Sequence, residues 1–108
     1  MTIQEQYENL EKTVRGYNPA ADFQHIRAAF EFAAEAHKDQ KRKSGEPYII
    51  HPLAVAQIVA EELRLDSESI EAALLHDVIE DTAATHEQVS KLFSPTIADL
   101  VEGVSKLT

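Results

Sequence analysis

The sequence contains no cysteine, so disulfides and thiolate metal sites are excluded and any bound metal must be held by histidine and carboxylate side chains. It also lacks long apolar runs, because none of its hydrophobic segments approaches the length of a membrane span. The N-terminal residues MTIQEQ have neither the basic start nor the apolar core of a signal peptide. These absences favour a cytoplasmic protein without membrane contact.

Basic residues are scarce, since 10 Lys and Arg stand against 19 Asp and Glu and give a net charge of −9. This balance argues against broad contact with nucleic acid, whose phosphates require a basic surface, so we expect no direct DNA binding. Four of the 10 basic residues nevertheless lie within residues 38–43. The cluster could bind a small phosphorylated ligand, or it could be a solvated turn at a helix C-terminus, where cations are favoured.

Apolar residues recur at helical spacing along most of the 108 residues, a length that suits a single domain. Residues 3–14 predict a leading helix, and Asn18-Pro19 predicts the start of a second helix that ends near His37. Further helices are predicted over residues 52–65, 67–82 and 85–93 and from residue 95 onward. No strand pattern is present. The predicted fold class is all-α, with about six helices.

A loop with the sequence KRKSGEPYIIHP interrupts this helical pattern at residues 41–52. Its glycine and two prolines are too many helix breakers for a helix, and its short Tyr-Ile-Ile run is too isolated to find a strand partner. We expect an ordered loop held down by Tyr48, Ile49 and Ile50. His51 then lies at the N-terminus of the next helix, where it could cap the helix, stack on another ring or bind a metal.

A group of ionisable residues interrupts the apolar run that starts at Ala72. His76 and Asp77 are adjacent, and Glu80 and Asp81 follow them at a spacing of four residues, so a helix would place the second pair one turn below the first. A divalent metal would compensate these charges, because imidazole and carboxylate donors suit Zn, Mn or Fe. The alternative is a solvated helix end, with Glu80 and Asp81 in water and His76 half-buried in the core.

These motifs together resemble the hydrolase domain of the RelA/SpoT family, the HD-type domain that degrades the alarmone (p)ppGpp. The resemblance rests on His37, on residues 42–52, on residues 74–82 and on VEGVSKL at residues 101–107, and it covers about residues 23–108. It implies an HD-type helical bundle that removes pyrophosphate from (p)ppGpp. It further implies that the ligands of a bound Mn²⁺ include His51, His76 and Asp77. The residues that act on water and phosphate would be Glu80 and Asp81. The residues that hold the guanosine end of the nucleotide would be Arg42, Lys43 and Ser44.

Two departures accompany the resemblance. Asp39 stands where the family often has glycine, which matters little because it precedes the loop. The family's fourth ligand is an Asp further downstream, expected beyond residue 108, so we expect residues 1–108 to be the front of a truncated hydrolase domain, with a leading helix at 1–18 and the HD core at 19–108. The parent is expected to be a bifunctional synthetase/hydrolase, and this piece alone is expected to be inactive.

Two other functions are compatible with parts of the sequence. A non-catalytic, regulatory HD module would not need all four ionisable residues at positions 76, 77, 80 and 81. In this sequence His76-Asp77 and Glu80-Asp81 are all present. An HD phosphohydrolase that acts on another nucleotide would have no use for the loop at residues 42–48. We also expect an exposed apolar face near Val101 and Val104 on the last helix, through which the chain could form a homo-oligomer.

Overall fold

The computed structural model describes residues 2–107, with side chains described through residue 103. Regular structure in this part of the chain is helical, apart from an isolated antiparallel bridge between Lys41 and Pro47. The all-α prediction is confirmed. The helices are α1 (Ile3–Tyr17), α2 (Phe23–Ala36), α3 (Ile50–Ile58), α4 (Ser67–Leu75), α5 (Val78–Asp81), α6 (His86–Leu92) and α7 (Pro95–Leu107), and a π-helical turn, Val59–Leu63, extends α3.

Capping side chains set most helix starts. Thr2 and Thr85 each form a capping box, with Glu5 and Gln88 respectively, and the second of these was predicted from the sequence. Asp66 caps α4 by accepting from the Ser69 N–H at 3.0 Å. These bonds satisfy backbone donors that have no partner within the first turn of a helix.

The predicted start of α2 at Asn18-Pro19 is wrong. The carboxylate of Asp22 accepts from the His25 N–H at 3.1 Å, so α2 begins at Phe23. Asn18 instead ends α1, because its own N–H donates to the Val14 carbonyl at 2.7 Å. An asparagine beside a proline therefore marked a turn between helices rather than a helix start.

Helix α4 is the centre of the bundle and packs against α2, α3 and α7. All of its residues from Ile70 to Leu75 are buried, and all of these except Glu71 are apolar, as is typical of a central helix. Leu74 and Leu75 are fully buried, and each contributes about 1.5–3 kcal/mol by leaving water. The helix ends at Leu75, immediately before His76, so the packed core positions the ionisable group that follows.

The prediction of an exposed apolar face on α7 is wrong for the residues whose side chains are described. Ile97 and Ala98 are buried and Val101 is fully buried, because α4 and α6 cover this side of α7. Leu100 is 42% exposed, whereas the side chain of Val104 lies outside the described residues. Within residues 2–107, no helix is long and apolar enough to cross a membrane.

Candidate metal centre

The four ionisable residues between His76 and Asp81 do not lie on one continuous helix, so the predicted single helix over residues 67–82 is wrong. Helix α4 ends at Leu75 and α5 begins at Val78, with His76 and Asp77 in the turn between them. The Ala73 carbonyl accepts from the backbone N–H of His76 at 3.5 Å and from its ring Nδ1 at 2.6 Å. Both bonds span three residues, whereas the backbone bonds of an α-helix span four. The Asp81 N–H still donates to the Asp77 carbonyl at 2.9 Å, so the four-residue spacing survives.

Two of the predicted metal ligands, His51 and His76, face one carboxylate oxygen of the third, Asp77. Oδ2 of Asp77 lies 3.1 Å from Nε2 of His76 and 3.5 Å from Nε2 of His51. The two imidazole rings stand at an angle of 65°, with centroids 5.2 Å apart. His51 reaches this point from the second residue of α3, so residues 25 positions apart in sequence form one cluster. Two imidazole nitrogens and a carboxylate oxygen within 4.8 Å of one another are a donor set that fits a divalent metal.

The hydrogen bond of His76 determines which of its ring nitrogens faces the cluster. A carbonyl oxygen only accepts, so Nδ1 of His76 carries the proton that it donates to Ala73. In the neutral ring, Nε2 then carries no proton and faces Oδ2 of Asp77, which is the tautomer that a metal ligand requires. For His51, burial and the neighbouring His76 ring hold the pKa below its ordinary value, and the opposing attraction of Asp77 is smaller. The neutral form of the His51 ring is therefore favoured.

The two acids predicted to act in chemistry differ in their surroundings. Asp81 is close to the cluster, because Oδ2 of Asp81 accepts from the Tyr48 hydroxyl at 3.2 Å. Glu80 is exposed, and its side chain forms no hydrogen bond or ion pair with the described residues. The same Tyr48 hydroxyl donates to Oδ2 of Asp77 at 2.7 Å. Burial and these carboxylates raise the pKa of Tyr48 above its ordinary value, so the phenol stays protonated.

The predicted nucleotide-binding residues lie on a tight loop beside the cluster. The Arg42 N–H donates to the Glu46 carbonyl at 2.9 Å and the Gly45 N–H to the Arg42 carbonyl at 2.8 Å. Gly45 has a φ of 89°, a conformation that favours glycine. The exposed side chains of the loop border a cleft of about 600 Å³ that extends to the predicted metal ligand His51. The cleft is lined by Lys41, Arg42, Lys43, Ser44, Tyr48 and His51.

Sequence reasoning missed the polar role of Tyr48, which it treated only as an apolar anchor of the loop, and it did not single out Gln40. Gln40 follows the C-terminus of α2, where its Oε1 lies 2.7 Å from Nδ1 of the buried His37. Its Nε2 donates to the backbone carbonyl of Asp81. The only sequence signal for this bridge was the three-residue spacing of His37 and Gln40, which does not reveal a contact with Asp81.

A second group of possible ligands lies on another part of the surface. His86 of α6 contacts Asp99 at 3.0 Å and Glu102 at 3.8 Å, both on α7. Asp99 and Glu102 are exposed, and an ordinary histidine–carboxylate pair accounts for the 3.0 Å contact. His86 is consequently a useful comparison for His76, because the side chain of His86 is 39% exposed whereas that of His76 is 12% exposed.

Residues 29–108 match the HD domain family, and this chain belongs to that family. Membership implies a divalent metal, for which the described residues offer the donor groups given above. The bifunctional (p)ppGpp synthase/hydrolase SpoT of Escherichia coli K12 is 52% identical over 101 residues, which are 94% of this chain and 14% of that protein. The resemblance to the RelA/SpoT family is thereby confirmed.

Two further relatives carry related names. The guanosine-3′,5′-bis(diphosphate) 3′-pyrophosphohydrolase of Aquifex aeolicus is 53% identical over 100 residues, 93% of this chain and 14% of that protein. The GTP pyrophosphokinase of Myxococcus xanthus is 51% identical over 96 residues, 89% of this chain and 12% of that protein. The chain thus spans about one seventh of the length of these curated relatives or less.

A solved structure has the same fold. It belongs to a metazoan ortholog of SpoT that hydrolyses ppGpp, and it matches with a TM-score of 0.72 at 38% sequence identity. The match covers 75% of this chain and 47% of that one. The predicted HD-type helical bundle is confirmed by this likeness.

Proposed function

We propose that this chain is part of a metal-dependent 3′-pyrophosphohydrolase that converts ppGpp and water to GDP and pyrophosphate, within a bifunctional synthetase/hydrolase. The observation that carries the proposal is the convergence of His51, His76 and Asp77 beside the basic cleft, which His51 also lines. A polyanionic nucleotide requires positive charge along its phosphates and a cation at the scissile bond. The names of the relatives support (p)ppGpp as this nucleotide.

His51, His76 and Asp77 would hold the metal, for which we propose Mn²⁺. Nitrogen and oxygen donors without a thiolate suit this ion. When bound, the cation supplies Lewis-acid stabilisation of phosphate charge and lowers the pKa of a water ligand. A fourth ligand is proposed to be an Asp beyond residue 108. Residues 19–108 would then form the front of the HD core, with residues 1–18 as a leading helix.

The remaining site residues have complementary proposed roles. Arg42, Lys43 and Ser44 would hold the guanosine end of the nucleotide in the cleft, where cationic and hydroxyl donors match its oxygen atoms. Glu80 and Asp81 would accept and return protons as water attacks and the GDP oxygen leaves. Asp81 is already beside the cluster, whereas the exposed Glu80 is free to meet a bound substrate.

Replacement of a proposed ligand tests this function. In the full-length protein, His76→Ala or Asp77→Ala should abolish Mn²⁺-dependent release of pyrophosphate from ppGpp, because each removes a donor from the cluster. His86→Ala is the matched control, since it removes a histidine from the exposed group on α6 and α7, and it should retain activity. Metal content and turnover both preserved in His76→Ala would exclude this metal assignment.

A further inference from the structure

One phenolic hydroxyl bridges the metal cluster and the acid pair. The Tyr48 hydroxyl lies 2.7 Å from Oδ2 of Asp77 and 3.2 Å from Oδ2 of Asp81. A phenol has a single proton to donate, so two carboxylates share one donor. These like charges one helical turn apart repel each other, and a shared donor between them reduces that repulsion.

The Tyr48 hydroxyl donates to the carboxylate oxygen that faces both imidazole rings of the cluster. Oδ2 of Asp77, which accepts from Tyr48, is also the atom that faces Nε2 of His76 at 3.1 Å and Nε2 of His51 at 3.5 Å. The hydrogen bond consequently determines the rotation of the Asp77 carboxylate and which of its oxygens points to the imidazoles. Partners of this kind orient metal ligands before the metal arrives.

The phenol itself is held from several directions. The Tyr48 N–H donates to the Gln40 carbonyl at 3.1 Å, and its ring lies 4.7 Å from the ring of the buried His37 and 5.8 Å from that of His51. Gln40 in turn donates to the backbone carbonyl of Asp81. The loop, the residues after α2 and the end of α5 are thereby joined, and Gln40 links Tyr48 to Asp81.

We propose that Tyr48 is a positioning residue whose hydroxyl holds the carboxylates of Asp77 and Asp81 in one arrangement, so that the metal ligand and the acid act on the same substrate. The proposal rests on the proposed function, because it assigns Tyr48 to that same site. Tyr48 need not contact the reacting atoms in this role. Its effect passes through the two carboxylates.

Tyr48→Phe in the full-length protein tests the proposal, because it removes the hydroxyl and retains the ring. Titration calorimetry with Mn²⁺ alone, without nucleotide, should show binding about tenfold weaker, the effect typical of losing such a ligand-orienting bond. With ppGpp at saturating Mn²⁺, kcat should fall about tenfold or more while KM changes less than about twofold. The matched control is Tyr17→Phe, which loses a 2.7 Å bond to the Leu65 carbonyl away from the site and should change neither value.

Two results would overturn the positioning role. One is a Tyr48→Phe protein with wild-type Mn²⁺ affinity and wild-type kcat. The other is a large rise in KM with Mn²⁺ affinity unchanged, which would make the hydroxyl a nucleotide contact instead. The Mn²⁺ titration needs no turnover, so it decides the role of Tyr48 even if the full-length protein does not hydrolyse ppGpp. Failure of this inference and failure of the proposed function are therefore distinguishable.

Discussion

Glu71 should make the stability of this chain depend on pH. It lies in α4 with only 1% of its surface exposed, and its Oε1 has no hydrogen-bond partner among the described residues. Burial raises its pKa from the ordinary 4.5 to about 7. The positive charge of His25, whose Nδ1 lies 3.6 Å away, opposes this rise, whereas the negative charges of Asp22, Glu68 and Asp66 add to it.

The direction of the effect follows from proton binding. Between pH 4.5 and about 7 the folded chain retains the Glu71 proton that the unfolded chain has lost, so stability falls as the pH rises through this range. The pKa difference corresponds to about 3 kcal/mol. Glu71→Gln removes the titration and keeps the shape. Its advantage in free energy of unfolding over the wild type should grow by about 2 to 3 kcal/mol between pH 5 and pH 8.

Urea denaturation followed by circular dichroism at a series of pH values measures this difference. Glu68→Gln is the control, because it makes the same exchange at an exposed position in the first turn of α4. It should change stability by less than about 1 kcal/mol at every pH. A Glu71→Gln advantage that stays constant from pH 5 to pH 8, or a loss of stability at pH 8, would refute the reasoning.

Two further predictions concern the chemistry and the core. Glu80→Gln in the full-length protein should lower kcat while Mn²⁺ and nucleotide affinity stay nearly intact, since Glu80 has no bond to the described residues; a collapse of affinity with unchanged kcat would make it a ligand or structural residue. Leu74→Ala should cost about 2–5 kcal/mol of unfolding free energy in urea, because Leu74 is fully buried in the central helix, and a loss below about 1 kcal/mol would contradict that placement.

Local patterns in the sequence predicted much of the fold. Thr85 and Gln88 showed a capping box, and Ser94 before Pro95 showed a helix start, which the 3.0 Å bond from the Ile97 N–H to Ser94 Oγ confirms. Each signal depends on residues three positions apart, which spacing reveals directly. The predicted start of α2 was wrong because Asn18 and Asp22 are both suitable caps, and the structure uses Asp22.

The candidate site was predictable in its residue types but not in its connections. The spacing of His76, Asp77 and Asp81 was visible, but the break between α4 and α5, where Nδ1 of His76 donates to the Ala73 carbonyl, was not. The approach of Tyr48 to Asp77 joins residues 29 positions apart. Side-chain periodicity carries no information about such a contact, because it arises only when the loop folds back on α4 and α5.

The most direct test is turnover of ppGpp by the full-length protein, with Mn²⁺ present and then removed. We expect GDP and pyrophosphate to form in equal amounts with Mn²⁺, formation to stop when a chelator is added, and activity to return when Mn²⁺ is restored in excess. Stable ppGpp in the presence of Mn²⁺, or hydrolysis that continues undiminished under the chelator, would contradict the assignment of His51, His76 and Asp77 to a catalytic metal centre.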